Sequence, residues 1–378
     1  MTAAAEAWPL KHVQGDGAAI LLYGPPHMST APIDSPRPTI RDVARLAAVS
    51  IKTVSRVIND QQYVSADKRD RVRQVMLDIG FQPNQAARAL AGHRSHQIAL
   101  ICDNPNPWYV YEIQLGVRER CARDNIRMIA QPYDRASPTL LDDIVALIDQ
   151  AHPDGLVLAP PACDDVRVIA ELDRRGIPFV RLQPGARLDA DLGSGPSVAI
   201  DNDAAAFDMT TYLLGLGHRR IGFVVGERSY AASGQRLAGH IRALGEAGVD
   251  VDLTLIRQGE FDVASGEAAG EALLSLAEPP TAIFASSDDM AAGVLAAAHR
   301  RGIAVPAALS VAGFDDGPTA RIVWPALTTV RQPVRALANA ATDLLLAPDG
   351  DLQPRLLAHE LVLRASTAAP KVDGSRNG

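Results

Sequence analysis

The stretch DVARLAAVSIKTVSRVIND, residues 42–60, holds two short helical patterns with almost nothing between them. Just upstream, Thr39 is suited to cap a first helix whose apolar residues Ile40, Val43, Ala44 and Ala47 recur at i, i+3, i+4 and i+7. After a turn around Ala48 and Val49, Ser50 opens a second helix that turns Val54, Val57 and Ile58 inward. A third periodic stretch buries Val72, Val75, Met76 and Ile79 and stops at Gly80. The predicted unit is three short amphipathic helices around one very small core.

The second helix leaves Lys52, Thr53, Ser55, Arg56 and Asn59 on its other face. These are residue types that read base edges and grip phosphates. Two helices joined by a tight turn present the second one to the DNA major groove, which is wide enough to admit it. Charge supports the same reading. From Thr39 to Arg94 there are ten Lys or Arg against five Asp or Glu, whereas the 378-residue chain as a whole carries a net charge of −7. Basic character is confined to one small segment.

The next stretch, FQPNQAARALAGHRS (81–95), has Asn84 as an N-cap, a helix of one to two turns through Leu90, and Gly92 as its stop. So short a helix is marginal alone, because nucleation is barely repaid over two turns. DNA and the same segment of a second subunit would support it. Ala87 and Leu90 then offer small and wedge-like apolar groups to a minor-groove step, with Arg88, His93 and Arg94 near phosphates.

TIRDVARLAAVSIKTVSRVIND, followed by VSADKRDRVRQVMLDIGFQPNQAARALAG, resembles the DNA-binding headpiece and hinge helix of LacI-type bacterial transcription regulators, the lac and purine repressor family. The resemblance is close over Thr39–Gly92 and looser to about residue 367. It implies that Ile51 and Lys52 vary with operator sequence and that Arg56 reads bases. It places Thr39, Thr53, Ser55 and Asn59 at phosphate anchors and Tyr63 at another backbone contact. Asn84 starts the hinge helix, Ala87 holds its register, and Leu90 pries open the central base step.

Beyond Ser95, apolar runs alternate with amphipathic helices: QIALIC (97–102), IRMIAQ, DGLVLAP (154–160) and IPFVRL (177–182), then RIGFVVG (220–226), PTAIFAS (280–286) and LSVAGFDD (309–316). Two parallel-sheet lobes are the simplest α/β arrangement, with strands covered on both faces. Ligands collect at the carboxyl ends of such strands. Asn104, Asn106, Trp108 and Tyr109 follow the first strand, Arg181 and Gln183 end the fourth, and Asp288 and Asp315 follow later ones. Asn and Asp there also serve as turn and helix caps; Trp108 and Tyr109 offer an aromatic platform for a sugar ring or planar ligand.

This series is similar to the periplasmic-binding-protein-like core of the same family. The resemblance implies a ligand loop over Asp103–Tyr109, an effector-clamping arginine at Arg236 in SGQRLAGH, and at Asp315 an aspartate that holds sugar hydroxyls or a ligand amine. Ser287 stands where an asparagine is usual, Gln183 where an aspartate is common, and Arg181 adds a nearby positive charge; together they weaken any transfer of galactoside specificity. His218, Arg219 and Arg220 are expected to be structural. STAAPKVDGSRNG, from Ser366 onward, carries no leucine heptads and reads as a disordered end, so a tetramer is not implied.

The expected organisation is a disordered extension or overlong start over 1–38, with Met28 an alternative start, then a helix-turn-helix headpiece over 39–83. A hinge helix and linker follow over 84–95, a two-lobed effector-binding and dimerisation core over 96–367, and a disordered tail over 368–378. Cys102, Cys121 and Cys163 are too few and too far apart for a disulfide framework or a zinc site, so no metal or cofactor is expected. The chain shows neither a secretory leader nor a run of about 20 apolar residues, which points to the cytoplasm and the bacterial nucleoid. Nucleophile-elbow, H-E-x-x-H and phosphate-loop motifs are lacking, so an enzyme is not expected.

The function expected is sequence-specific repression of carbohydrate uptake or catabolism genes. A homodimer binds a pseudopalindromic operator under control of a small-molecule effector, most simply a sugar. A corepressor-dependent or nucleobase-responsive regulator is the alternative. A periplasmic-type sugar-binding protein is a distant third, since it needs a secretion signal and no basic headpiece; a nucleoid-type structural binder would lack ligand-dependent DNA affinity.

Overall fold

A computed structural model describes residues 38–58, 63–81, 94–133, 138–185, 195–347 and 353–371. The chain divides into two compact units, Met1–Asn84 and Gln85–Gly378. In the first, α1 (Ile40–Leu46), α2 (Ile51–Ile58) and α3 (Ala66–Asp78) enclose Val43, Ala44, Ala47, Val54, Val57 and Val72. The α1 start is a capping box, in which Thr39 and Asp42 each satisfy the other's backbone N–H. Ser50 Oγ accepts from Thr53 N at 3.1 Å, and Ala48 turns the chain between α1 and α2 at φ 52°. Gly80, at φ 64°, ends α3 in the left-handed conformation that glycine adopts without steric cost.

In the second unit the strands form two six-stranded sheets. The elements run β1 (Gln97–Cys102), α4 (Pro107–Arg123), β2 (Arg127–Pro132), α5 (Leu140–Ala151), β3 (Gly155–Leu158), α6 (Val166–Arg175), β4 (Phe179–Leu182) and β5 (Ser197–Ala199). There follow α7 (Asn202–Gly215), β6 (Ile221–Val225), α8 (Ala231–Glu246), β7 (Ile256–Gln258), α9 (Val263–Leu274), β8 (Ala282–Ala285), α10 (Asp288–Arg300) and β9 (Ser310–Asp315). The chain finishes with α11 (Thr319–Ile322), β10 (Thr328–Arg331), α12 (Val334–Leu346), β11 (Arg355–Leu356) and β12 (Glu360–Val362). The first sheet has the order β11-β5-β4-β3-β1-β2 and the second β12-β10-β9-β8-β6-β7.

The chain therefore crosses between lobes three times: after β5, between β10 and α12, and between β11 and β12. The apolar runs become strands buried on both faces, as in β3, β6 and β8. The lobes are not purely parallel, because β12 runs antiparallel to β10. Strands β5, β7, β10, β11 and β12 were not expected; each has two to four residues and most are half-polar, too little for an alternation signal. Helices α4 and α12 press together at Gly116, where a Cβ would lie 2.3 Å from Arg335 O.

The chain end differs from expectation too. Rather than leaving the fold at Ser366, it runs along the second sheet as far as Ala368. Val311 N donates to Ser366 O at 2.9 Å, Ser366 Oγ accepts from Thr328 N at 2.8 Å, and His218 Nε2 lies 2.9 Å from Ala368 O. Small hydroxyl side chains here do the work of a strand ladder, which composition does not reveal. His218 is structural, as expected. The N-terminal extension, the hinge helix and residues 372–378 lie outside the described residues.

One buried histidine sets a pH response. His240 stacks on Phe223 at 4.6 Å between ring centroids, and its Nδ1 lies 3.0 Å from Thr210 Oγ1. Burial pulls its pKa from 6.5 down to about 3. The folded chain holds it neutral while the unfolded chain protonates it, so its contribution is complete above pH 6.5 and is lost as pH falls toward 3. Urea unfolding between pH 7 and 4 is expected to show stability falling with a His240-linked slope approaching about 1.4 kcal/mol per pH unit. His240→Gln should flatten that slope; an unchanged slope would show that the histidine does not titrate on unfolding.

Candidate functional site

The helical unit exposes what its core does not need. Ile51 is 47% exposed and Tyr63 88%, both high for large apolar-bodied side chains. Lys52 is exposed next to Ile51 and Arg56 is half-buried one turn on, so Ile51, Lys52, Ser55 and Arg56 line one helix face. Neither Lys52 nor Arg56 makes an ion pair among the described residues, whereas Arg45 and Arg71 pair with Asp42 and Asp67. Thr39 and Thr53 also serve the fold: Thr39 is the α1 cap and Thr53 Oγ1 lies 2.9 Å from Ser50 Oγ. Asn59, Asn84, Ala87 and Leu90 lie outside the described residues.

In the second unit a cavity of about 40 Å³ lies between the lobes. The residues expected there separate into two groups. Asn106, Tyr109, Gln183, Arg236 and Asp315 line it. Trp108, Arg181 and Asp288 do not. Trp108 faces a larger neighbouring crevice, about 960 Å³, and its ring lies 3.2 Å from where a Cβ on Gly317 would be. Carboxylates and guanidinium groups in that crevice already pair, as Arg335 with Glu112 at 2.9 Å, so it lacks the convergent unpaired groups of the cavity.

Arg181 is fully buried inside the first lobe. Two residues on, Gln183 takes φ 54°, which breaks strand alternation and sends its side chain to the cleft instead. Asp288 is occupied behind the cavity, accepting from Thr329 Oγ1 at 2.6 Å and Gly317 N at 2.8 Å, and burial raises its carboxyl well above the usual range. Its neighbour Ser287, the α10 cap, reaches the cavity in its place.

The cavity walls are helix starts and strand ends. Asn106 caps α4 by accepting from Trp108 N at 2.9 Å, so it is a capping residue and a wall residue at once. Arg236 donates from Nε to Asn202 Oδ1 at 2.9 Å and from Nη1 to Ser286 O at 2.6 Å, with its guanidinium 3.5 Å above the Phe314 ring. Asp315 sits at φ 116°, a strained conformation for a residue with a side chain. Burial pushes its carboxyl up to about 7, with Arg236 opposing the shift.

A buried relay joins these groups to the crossings between lobes. Ile200 N donates to Gln183 Oε1 at 2.8 Å, Gln183 Nε2 to Gln332 Oε1 at 2.9 Å, and Gln332 Nε2 to Asp315 Oδ1 at 2.6 Å. Ile200 begins one crossing and Gln332 lies in another. Gln332 escaped sequence reasoning because β10 did; as the polar residue in RQP after a strand, it obeys the strand-end rule. Tyr230, Ala232 and Phe261 also line the cavity without having been anticipated.

The lobes meet around the cavity. Tyr230 OH donates to Asp103 O at 3.2 Å, and a Cβ on Gly185 would lie 2.7 Å from Ala231 Cβ. A volume of about 40 Å³ falls far below the roughly 300 Å³ where ligand pockets begin. In this lobe arrangement the cleft is too small to hold a ligand of ordinary size.

Residues 39–84 match the profile "Bacterial regulatory proteins, lacI family", and residues 210–367 match "Periplasmic binding protein-like domain". The chain is 35% identical over 305 residues to the HTH-type transcriptional regulator DegA of Bacillus subtilis, covering 79% of this chain and 88% of the relative. A structure of the lac repressor dimer bound to operator and the anti-inducer ONPF matches at TM-score 0.76 and 27% identity, over 88% of this chain and all of that one. A transcriptional regulator CelR–cellobiose complex matches at TM-score 0.66 and 30% identity, over 87% of this chain and all of that one.

The relay is open to a direct measurement. Gln332→Leu strands a buried amide and a buried carboxyl oxygen and is expected to cost about 1–3 kcal/mol in urea unfolding. Gln183→Leu removes the same bond from its other side, so the double variant should cost less than the two single costs added together. Strict additivity would show that the two amides do not act as one unit.

Proposed function

The chain belongs to the LacI family of bacterial regulatory proteins, with a DNA-binding domain followed by an effector-binding domain, and from that premise we propose that it is a homodimeric repressor of carbohydrate genes, released from or retained on its operator by a ligand in the interlobe cleft. The observation that carries this reading is that Lys52 and Arg56, with no ion pair among the described residues, lie beside exposed Ile51 on the helix after a tight turn. In the proposal, Ile51, Lys52 and Arg56 meet base edges in the major groove. Thr39, Thr53, Ser55, Asn59 and Tyr63 contact the backbone, and Asn84, Ala87 and Leu90 belong to a minor-groove hinge.

Support for the partners comes from relatives: the lac repressor is seen as a dimer on operator, and CelR with cellobiose. Asn106, Tyr109, Gln183, Arg236 and Asp315 make up the effector site in this reading. Closure about the ligand shifts the population of lobe arrangements, and that shift changes the affinity for DNA. The role is regulatory rather than catalytic, exercised on the nucleoid in the cytoplasm. No described helix is long and apolar enough to cross a membrane.

Selection from random duplexes with the full chain is expected to yield a pseudopalindrome, bound with an affinity that falls steeply with salt through counterion release. Arg56→Ala should cost about 1–3 kcal/mol on that site and relax discrimination at one position per half-site. Sedimentation should give twice the 40.1 kDa chain mass. Equal retention of selected and scrambled duplexes across the salt series would refute sequence-specific binding.

A further inference from the structure

The two lobes touch through surfaces shaped for each other. Gly185, beyond β4 in the first lobe, meets Ala231 at the start of α8, where a Cβ on the glycine would lie 2.7 Å from Ala231 Cβ. A second close approach brings Gly317 of the second lobe against Trp108 of α4, with 3.2 Å between a Cβ there and the indole ring. Glycine at both positions lets the opposite lobe come this near, so the contact is a fitted one, packed as closely as a protein interior.

Tyr230 adds a directed bond to this contact. It stands immediately before α8 in the second lobe and is 4% exposed, and its hydroxyl donates at 3.2 Å to Asp103 O, just past β1 in the first lobe. Its ring is braced by Phe261, which meets it edge-on with 5.3 Å between ring centroids and 84° between planes. Phe261 in turn lies over Gly226, where a Cβ would collide with the ring. It takes φ 62°, a left-handed conformation that persists in a residue with a side chain only where its surroundings hold it. Both aromatic residues line the cavity, so a braced phenol hydroxyl is held on a carbonyl of the other lobe at the cavity wall.

We infer that Tyr230 is an interlobe latch: its hydroxyl holds the lobes in the arrangement that leaves about 40 Å³ between them, and it sets how readily they part. When the lobes part, water replaces the lost partner on both the hydroxyl and the carbonyl, so the bond biases the equilibrium and does not lock it. Loss of one such hydrogen bond is expected to raise the ratio of parted to shut chains by roughly 2- to 12-fold. The latch stands on the contacts alone. Its bearing on regulation rests on the proposed function, where parting the lobes is a cost that any ligand too large for the cavity must offset.

The test is a pulsed EPR distance measurement on the full chain spin-labelled at Val166→Cys and Val263→Cys, two exposed positions that open α6 in the first lobe and α9 in the second. Cys102, Cys121 and Cys163 are buried and stay unlabelled, and an excess of unlabelled chain leaves one labelled chain per dimer. With Tyr230 in place, one distance is expected to dominate, with a minor population at a longer one. Tyr230→Phe removes the hydroxyl and keeps the ring, and it should raise the ratio of the longer to the shorter at least twofold. Gly185→Val forces the same contact apart without touching the hydroxyl and should raise that ratio as well. The inference is overturned if Tyr230→Phe leaves the distribution unchanged, whether or not it lowers stability to urea, because the hydroxyl would then be a packing contact only. It is overturned too if the longer distance already dominates in the wild type; no change in either variant would remove the fitted contact along with the latch. Lobes that part as expected in Tyr230→Phe with operator affinity unaltered would leave the latch standing and remove the link between lobe arrangement and DNA on which the proposed function depends.

Discussion

Asp316 is gripped by three guanidinium groups, and the turn that carries Asp315 to the cavity wall depends on that grip. Arg331 reaches it at 2.7 Å and Arg321 at 3.1 Å, and Arg364 donates to its other oxygen. Burial works to raise this carboxyl, but the three partners outweigh burial and hold it below the usual range. The backbone it anchors takes φ 116° at Asp315 and 56° at Asp316. Residues with side chains persist in such conformations only where surrounding contacts over-determine them. Arg331 ends β10 and Arg364 follows β12, so strand ends of one lobe converge to hold the turn that aims Asp315 into the cleft.

From Asp315 the hydrogen-bond path leads out of the site. Gln332 belongs to one crossing between lobes, and Gln183 receives the backbone of Ile200 at the start of another. Asp315 is thereby joined to two of the crossings between lobes through two amides. The path is a buried polar chain whose members are satisfied together or left unsatisfied together. The charged crevice beside Trp108 is larger, and its Arg335 is already paired with Glu112.

A good part of this was legible in the chain itself. The spacing of Val43, Ala44, Ala47, Val54, Val57 and Val72 gave the small helical core, because periodicity and burial are the same fact in an amphipathic helix. Near-continuous apolar runs foretold the buried parallel strands for a similar reason. Tyr109, Gln183, Arg236 and Asp315, expected at the cleft, line one cavity. Trp108, Arg181 and Asp288 were placed there too, on the ground that they follow strands; each instead faces a neighbouring crevice, a lobe interior or a pair of local donors.

What the sequence determined by itself was local: which segments are helices or apolar strands, where charge concentrates, and which family pattern they follow. Tertiary structure alone decided which way each strand-end side chain points, because a single left-handed residue such as Gln183 reverses an alternation that sequence reading must assume. It also decided which charges are matched. Arg331, at the end of β10, is clamped between Asp316 and Glu360, whereas Arg236, inside α8, is buried on neutral acceptors, Asn202 Oδ1 and Ser286 O, with Asp315 acting on it through space. The difference comes from contacts between segments far apart in the chain, and the energy of a buried charge depends on its neighbours in space rather than in sequence.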